Sequence, residues 1–199
     1  MVKEFWNERY SASEYIYGEA PNTFFAEQLQ QLQPGHIILP CDGEGRNGVY
    51  AATLGWTVTA FDQSEEGQKK ALQLSAKKGV RISYDIADAV DVSYPATSAD
   101  AVALIFAHLP SGPREALLVK VVTWLKPGGK LILEAYNPAQ LNNNTGGPKD
   151  VDMLYTEEIL SNALQGLHTE MLQSLRLHLE EGSFHSGMSD IIRYVGVKQ

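Results

Sequence analysis

The residues best equipped for chemistry cluster in Leu39-Pro40-Cys41-Asp42-Gly43-Glu44-Gly45-Arg46-Asn47-Gly48. Glycines at 43, 45 and 48 let backbone pass close to a ligand with no Cβ in the way. A helix opening at Arg46 and Asn47 would aim its free N–H groups at the same point. Asp62, followed by Gln63, comes 17 residues after Gly45. In an open parallel sheet an acid so placed stands beside the first loop, where it can accept both ribose hydroxyls of a nucleoside. The plain alternative is a tight turn at the glycines and a helix cap at Asp62. Phe106-Ala107-His108 should end a further strand at the same edge, with Phe106 bordering a cofactor. The imidazole of His108 titrates near neutrality and could act as general base for a protonated acceptor, or simply pack and hydrogen-bond.

These groups need a strand-turn-helix frame, and the hydrophobic pattern supplies one. The segment 36–40 reads as a first buried strand, 46–54 as a helix closed by Gly55, and 57–61 as a second strand. Ser64 caps the next helix. Glu65 and Glu66 lie in its first turn and Lys77 and Lys78 in its last, matching the helix dipole. Further strands are expected at 80–84, 101–106 and 130–134, and helices at 22–32, 113–125 and from near Thr156. Partial alternation at 171–180 and 190–197 predicts an antiparallel return at the sheet edge. The stretch to Pro21 reads as irregular and aromatic, a lid over the site. The expectation is a single α/β domain over 1–199: a lid at 1–21 and a Rossmann-like core at 35–199. The core is a mostly parallel seven-stranded sheet with an antiparallel terminal strand and helices on both faces.

Composition narrows the function further. The chain has 199 residues and a formal net charge of −8, which disfavours nucleic acid or an anionic membrane as partner. Its one cysteine, Cys41, excludes an intrachain disulfide or a cysteine-built zinc site and suits a cytoplasmic setting. No metal-ligand motif or nucleophile elbow is present, and the N-terminus lacks the apolar run of a signal peptide. Oligomeric state is not legible.

The nucleoside could belong to a nicotinamide dinucleotide, because Gly43-x-Gly45-x-x-Gly48 is literally that fingerprint, or to S-adenosylmethionine. The Tyr-x-x-x-Lys that a dehydrogenase of this fold would carry on a helix occurs only as Tyr194–Lys198, in a strand-like run. Four pieces occur in order: Tyr15-Ile16-Tyr17-Gly18-Glu19-Ala20-Pro21-Asn22, Gly43-Glu44-Gly45-Arg46-Asn47, Asp62-Gln63-Ser64, and Leu125-Lys126-Pro127-Gly128-Gly129. On them the chain resembles class I S-adenosylmethionine-dependent methyltransferases over nearly its whole length. Within that class it resembles the tellurite-resistance and thiopurine methyltransferase group. The resemblance implies methyl transfer from S-adenosylmethionine to a small acceptor such as tellurite, selenite, a thiol or an amine. It also implies an adenine contact by Asp85, with Ile86 beside the ring. The class acid ending the first strand is Leu39 here, and the first glycine is Cys41. Asp42 is therefore expected to supply the carboxylate for the methionine amino group, and Arg46 to pair with the cofactor carboxylate or with Glu44. Tyr15 and Tyr17 could face the sulfonium. Tyr15, His108, Asn144 and His185 are the acceptor-side candidates. A nicotinamide-dependent oxidoreductase and a non-catalytic cofactor-binding module are the competing readings.

Overall fold

The computed structural model describes residues 2–199; Met1, at the start of the expected lid, lies outside the described residues. One seven-stranded sheet runs in the order β3-β2-β1-β4-β5-β7-β6. Its strands are β1 (His36–Pro40), β2 (Thr57–Asp62), β3 (Ser83–Ile86), β4 (Ala99–Ile105), β5 (Leu125–Tyr136), β6 (Leu167–Glu180) and β7 (Ser186–Lys198). β1 through β5 pair in parallel, whereas β7 runs antiparallel to both β5 and β6. β1 pairs on one side with β2 and on the other with β4, so the direction of winding reverses between β1 and β4. A crevice opens at the carboxyl ends of the strands at such a reversal.

The helices are α1 (Val2–Tyr10), α2 (Thr23–Leu29), α3 (Arg46–Thr53), α4 (Glu65–Lys77), α5 (Ser111–Trp124) and α6 (Glu157–Ala163). Alternation along the strands assigns residues to two cores. Ile38, Val102, Leu104, Leu131 and Leu133 pack with Leu117, Leu118 and Val121 of α5 and Leu160 of α6. Ile37, Leu39, Val58, Ala60, Ala101 and Ala103 pack with Phe24, Phe25 and Leu29 of α2, Ala51 of α3 and Ala71 of α4. Each buried Leu, Ile or Phe contributes about 1.5–3 kcal/mol of transfer free energy.

Three expectations are corrected. The N-terminal stretch is not irregular throughout, because residues 2–10 form α1, which packs on α4. Its buried face amounts to little more than Tyr10, too few apolar positions to register as a periodic pattern. β3 lies at 83–86 rather than 80–84, because Gly79 and the residues after it complete the exit from α4. β5 begins at Leu125, five residues earlier than expected: β-pairing of Ala99 with Leu125 carries the strand through the Lys126-Pro127-Gly128-Gly129 break.

Candidate active site

The loop from β1 to α3 carries three consecutive left-handed bends, at Cys41 (φ 56°), Gly43 (φ 53°) and Gly45 (φ 82°). Cys41 thus holds the backbone shape of the glycine it replaces, at a steric cost of about 1–2 kcal/mol. A Cβ on Gly45 would collide with Ala71 of α4, so α4 packs directly on the turn. Asp62, at the end of β2, accepts from the Gly43 N–H at 3.2 Å through one oxygen and from the Ser64 N–H at 2.9 Å through the other. A carboxylate has about four acceptor positions, so lone pairs remain for further donors. Burial raises the Asp62 carboxyl to about 6, against the pull of those N–H groups.

Asp42 is placed differently from the expectation. Its carboxylate accepts from the Gly48 N–H at 3.1 Å, within the first turn of α3, and burial drives it up to about 8. It caps a helix rather than reaching for an amino group. Glu44 is buried: it accepts from the N–H groups of Ile16 and Tyr17 and from Lys70 Nζ at 2.8 Å. The lid is therefore fastened to the glycine loop by one carboxylate. Tyr10 lies over the same loop, and a Cβ on Gly43 would stand 2.6 Å from its hydroxyl. Tyr84 donates to the Gly43 carbonyl at 2.5 Å.

Beyond the loop lies a buried polar network. Arg46 donates to Glu181 at 2.6 Å and to the Tyr17 carbonyl, and Arg193 donates to Glu134 at 2.6 Å. Asn22 caps α2 through its side-chain oxygen, while its amide donates to Glu134 at 2.6 Å and Glu181 at 2.8 Å. Asn47 accepts from the Asn22 N–H. Arg46 thus pairs with Glu181 rather than with Glu44, the protein partner expected for it. Burial works to raise the Glu181 carboxyl, but His185 and Arg46 bring it down to about 2.

Against this network stands an aromatic cluster. The His185 ring lies 4.5 Å from Tyr17, 4.4 Å from Phe106 and 5.4 Å from Tyr136; Phe106 and Tyr136 are 4.8 Å apart. Phe106 adopts φ 52°, a strained bend at the exit of β4. Two polar atoms in this cluster, Tyr136 Oη and His185 Nδ1, are buried with no hydrogen-bond partner among the described residues. An unmet buried group costs about 1–3 kcal/mol. Gly146 seals the cluster: a Cβ there would meet Tyr136 Oη at 3.1 Å and His185 Cδ2 at 3.4 Å.

The expected site residues therefore separate. Gly43, Gly45, Arg46, Asn47 and Asp62 gather around the loop, and Tyr17, Phe106 and His185 around the aromatic cluster, joined through Arg46 and Glu181. Gln63 stays half-buried beside Asp62. Asp85 and Ile86 lie exposed at the end of β3, with Asp85 accepting from Tyr94. Tyr15 turns instead to α4, donating to the Lys70 carbonyl at 3.0 Å. Asn144 is exposed on the loop whose glycines cover Tyr136. His108 has both ring nitrogens engaged by backbone: Nδ1 at 2.8 Å from the Met153 carbonyl, and Nε2 accepting from the Tyr136 N–H at 3.2 Å. Burial lowers it to about 4. With no free lone pair it does not suit the base role expected of it. Tyr136 and Glu181 were not among the expected site residues, though the Glu181-x-x-x-His185 spacing was an available signal; Glu134, the acid ending the apolar run of β5, could be read as an acceptor contact or a strand terminus.

Residues 40–129 match the model of a methyltransferase domain family. A search of curated proteins finds no significant match. Among solved structures, TehB from Haemophilus influenzae superposes with a TM-score of 0.73 at 15% identity, covering 99% of this chain and 67% of that one. Magnesium protoporphyrin IX methyltransferase (ChlM) from Synechocystis PCC 6803, solved with bound SAH, gives 0.73 at 15% identity over 100% and 98%. A structure solved for the conversion of a disulfide bond into a thioacetal group during echinomycin biosynthesis gives 0.78 at 14% identity over 100% and 93%. At such identities these likenesses establish the fold. Fold and matched segment agree: residues 40–129 are similar to a methyltransferase domain, and the chain as a whole shares the fold of these structures.

The residues present could hold S-adenosylmethionine: a carboxylate with spare lone pairs ends β2, the loop beside it is held in three left-handed bends, and nearby aromatic rings could stabilise a sulfonium by about 1–2 kcal/mol.

Proposed function

We propose that the protein methylates a small molecule, with the cofactor's adenosyl part at Asp62 and the glycine loop and the acceptor at the cluster of Tyr17, Phe106, Tyr136 and His185. The cofactor supplies an already activated methyl group. The chain must align the acceptor and exclude water, and that alignment alone is worth up to about 7–11 kcal/mol. Asp62 would receive ribose hydroxyls, Asp85 and Ile86 would flank the adenine, and Phe106 would border both cofactor and acceptor. The lid, fastened to the loop by Glu44, would help exclude water. The observation carrying this reading is the Asp62–Gly43 contact, which fixes an acid against the glycine loop at the point where the sheet's winding reverses.

Titration calorimetry on the full chain tests the cofactor half. S-adenosylmethionine should bind, NAD should not, and Asp62→Asn should weaken binding by about tenfold, the equivalent of ~1.4 kcal/mol. Undiminished affinity in Asp62→Asn, or preference for NAD, overturns the assignment.

A further inference from the structure

The proposed acceptor site has a charge balance and an unmet hydrogen-bonding demand that together narrow the acceptor. Its two inner guanidinium groups are each locked to a buried carboxylate, Arg46 to Glu181 and Arg193 to Glu134. Lys70, under the lid, is likewise paired with Glu44. Arg9 is held between Phe5 (4.8 Å to the ring centroid) and Phe184 (4.5 Å) and donates to the Tyr17 hydroxyl. An oxyanion reaching the inner cluster would have to break a buried ion pair to find a cation there, which is unfavourable, and Arg9, outside it, is already stacked on rings. An uncharged nucleophile meets no such obstacle. The surface around Arg9 is apolar as well: Phe5 and Phe184, which flank it, are 49% and 44% exposed.

Two buried atoms await a partner there, Tyr136 Oη and His185 Nδ1. His185 Nδ1 lies 3.8 Å from Glu181 Oε2, too far for a hydrogen bond but close enough to stabilise an imidazolium. The groups facing His185 are Glu181 from its own turn, Arg46 from α3, Arg9 from α1, Tyr17 from the lid, Tyr136 from β5 and Phe106 from the end of β4. Burial, with Arg46 and Arg9 adding to it, lowers the imidazole below its ordinary value, against the pull of Glu181. Burial thus favours its neutral form, and Nδ1 has no hydrogen-bond partner among the described residues. His108, fully engaged by backbone, offers no such free nitrogen.

Resting on the methyltransferase reading above, we propose that the acceptor is an uncharged S–H or O–H nucleophile on an apolar body, and that His185 takes its proton. In the transfer, the acceptor sulfur or oxygen forms a bond to the methyl carbon. The methyl–sulfonium bond breaks with its electron pair going to sulfur, which becomes a thioether. The acceptor proton passes to His185 Nδ1, where Glu181 balances the charge. Tyr136 Oη donates to the acceptor atom and orients it.

The test uses the full chain, benzyl mercaptan and 2-naphthol as neutral probes, sodium tellurite and selenite as anionic ones, and 4-nitrothiophenol as a thiol that arrives ionised. Cofactor binding is measured first by calorimetry; its absence refutes the proposed function itself. With cofactor bound, at least one neutral probe should bind the chain loaded with the demethylated cofactor, and should be methylated faster than either oxyanion. His185→Gln should lower kcat for neutral probes about 100-fold with KM little changed. The loss should shrink to a few-fold for 4-nitrothiophenol, which needs no base. The wild-type rate should rise with pH to a plateau reached below the usual histidine range. Tyr136→Phe, a milder change, should lower turnover several-fold while keeping that pH profile. Faster methylation of tellurite or selenite, neither neutral probe binding, or an equal His185→Gln loss for ionised and neutral thiols would each overturn the proposal.

Discussion

At the scale of single residues, Asp42 shows how one side chain can occupy a motif position yet serve the scaffold. Its carboxylate sits on the first turn of α3 and is held largely protonated by burial, near 8. A raised carboxyl contributes stability in full below its unfolded value near 3.8, and that contribution drains away as pH rises toward 8. Asp42→Asn keeps an oxygen for Gly48 and cannot ionise. Its melting temperature relative to wild type should therefore climb between about pH 4 and about pH 8 and level off above, as read by calorimetric scans. Cofactor affinity should stay within about threefold of wild type, less than one good hydrogen bond. Cys41 makes a related point: its left-handed backbone preserves the loop's shape, so the departure from glycine costs strain rather than geometry.

Among the elements, the lid and the glycine loop meet at the Glu44–Lys70 pair, buried on both sides. Glu44 also receives the Ile16 and Tyr17 N–H groups. Breaking one half of a buried pair costs about 3–5 kcal/mol. Glu44→Gln should lower the melting temperature by about 6–20 °C in a chain of this size, at roughly 2–4 °C per kcal/mol. Amide exchange should accelerate most at residues 14–18, where the lid loses its anchor, and least in β1 and β4. A second clasp, Ser183 N–H to the Ile16 carbonyl at 3.0 Å, joins the lid to the β6–β7 turn. The same turn brings Glu181 and His185 to the site, so lid and acceptor site are mechanically one unit.

For the whole molecule, the acid limb of stability follows from groups far apart in the chain. His108, lowered to about 4 by burial, bridges the end of β4, the 150–154 segment and β5. A base with a depressed value contributes stability that is complete above its unfolded value, 6.5, and lost as pH falls through 4. His108→Asn, which can still donate to Met153, should flatten the stability profile between about pH 6.5 and about pH 4 in denaturant titrations. Glu181, brought down to about 2, works the same way lower on the scale: its contribution goes as pH falls from 4.5 toward 2. Sheet order decides these couplings, because β7 inserts between β5 and β6 and so sets Arg193 opposite Glu134.

Much of this was legible in the chain itself. Period-two apolar strands, the capped charges of α4 and the glycines at 43 and 45 act over neighbouring residues, and local sterics or burial suffice to specify them. That physics fixes the parallel sheet, the loop and Asp62 at its edge. The pairing of Arg46 with Glu181 across 135 positions, of Asn22 with Glu134 across 112, and the two orphaned atoms at Tyr136 and His185 were decided only by the tertiary structure. A side chain's partners depend on which surfaces the packed helices and the inserted β7 bring into contact. Burial then biases its charge: it favours the neutral form of His185, while backbone occupies both nitrogens of His108.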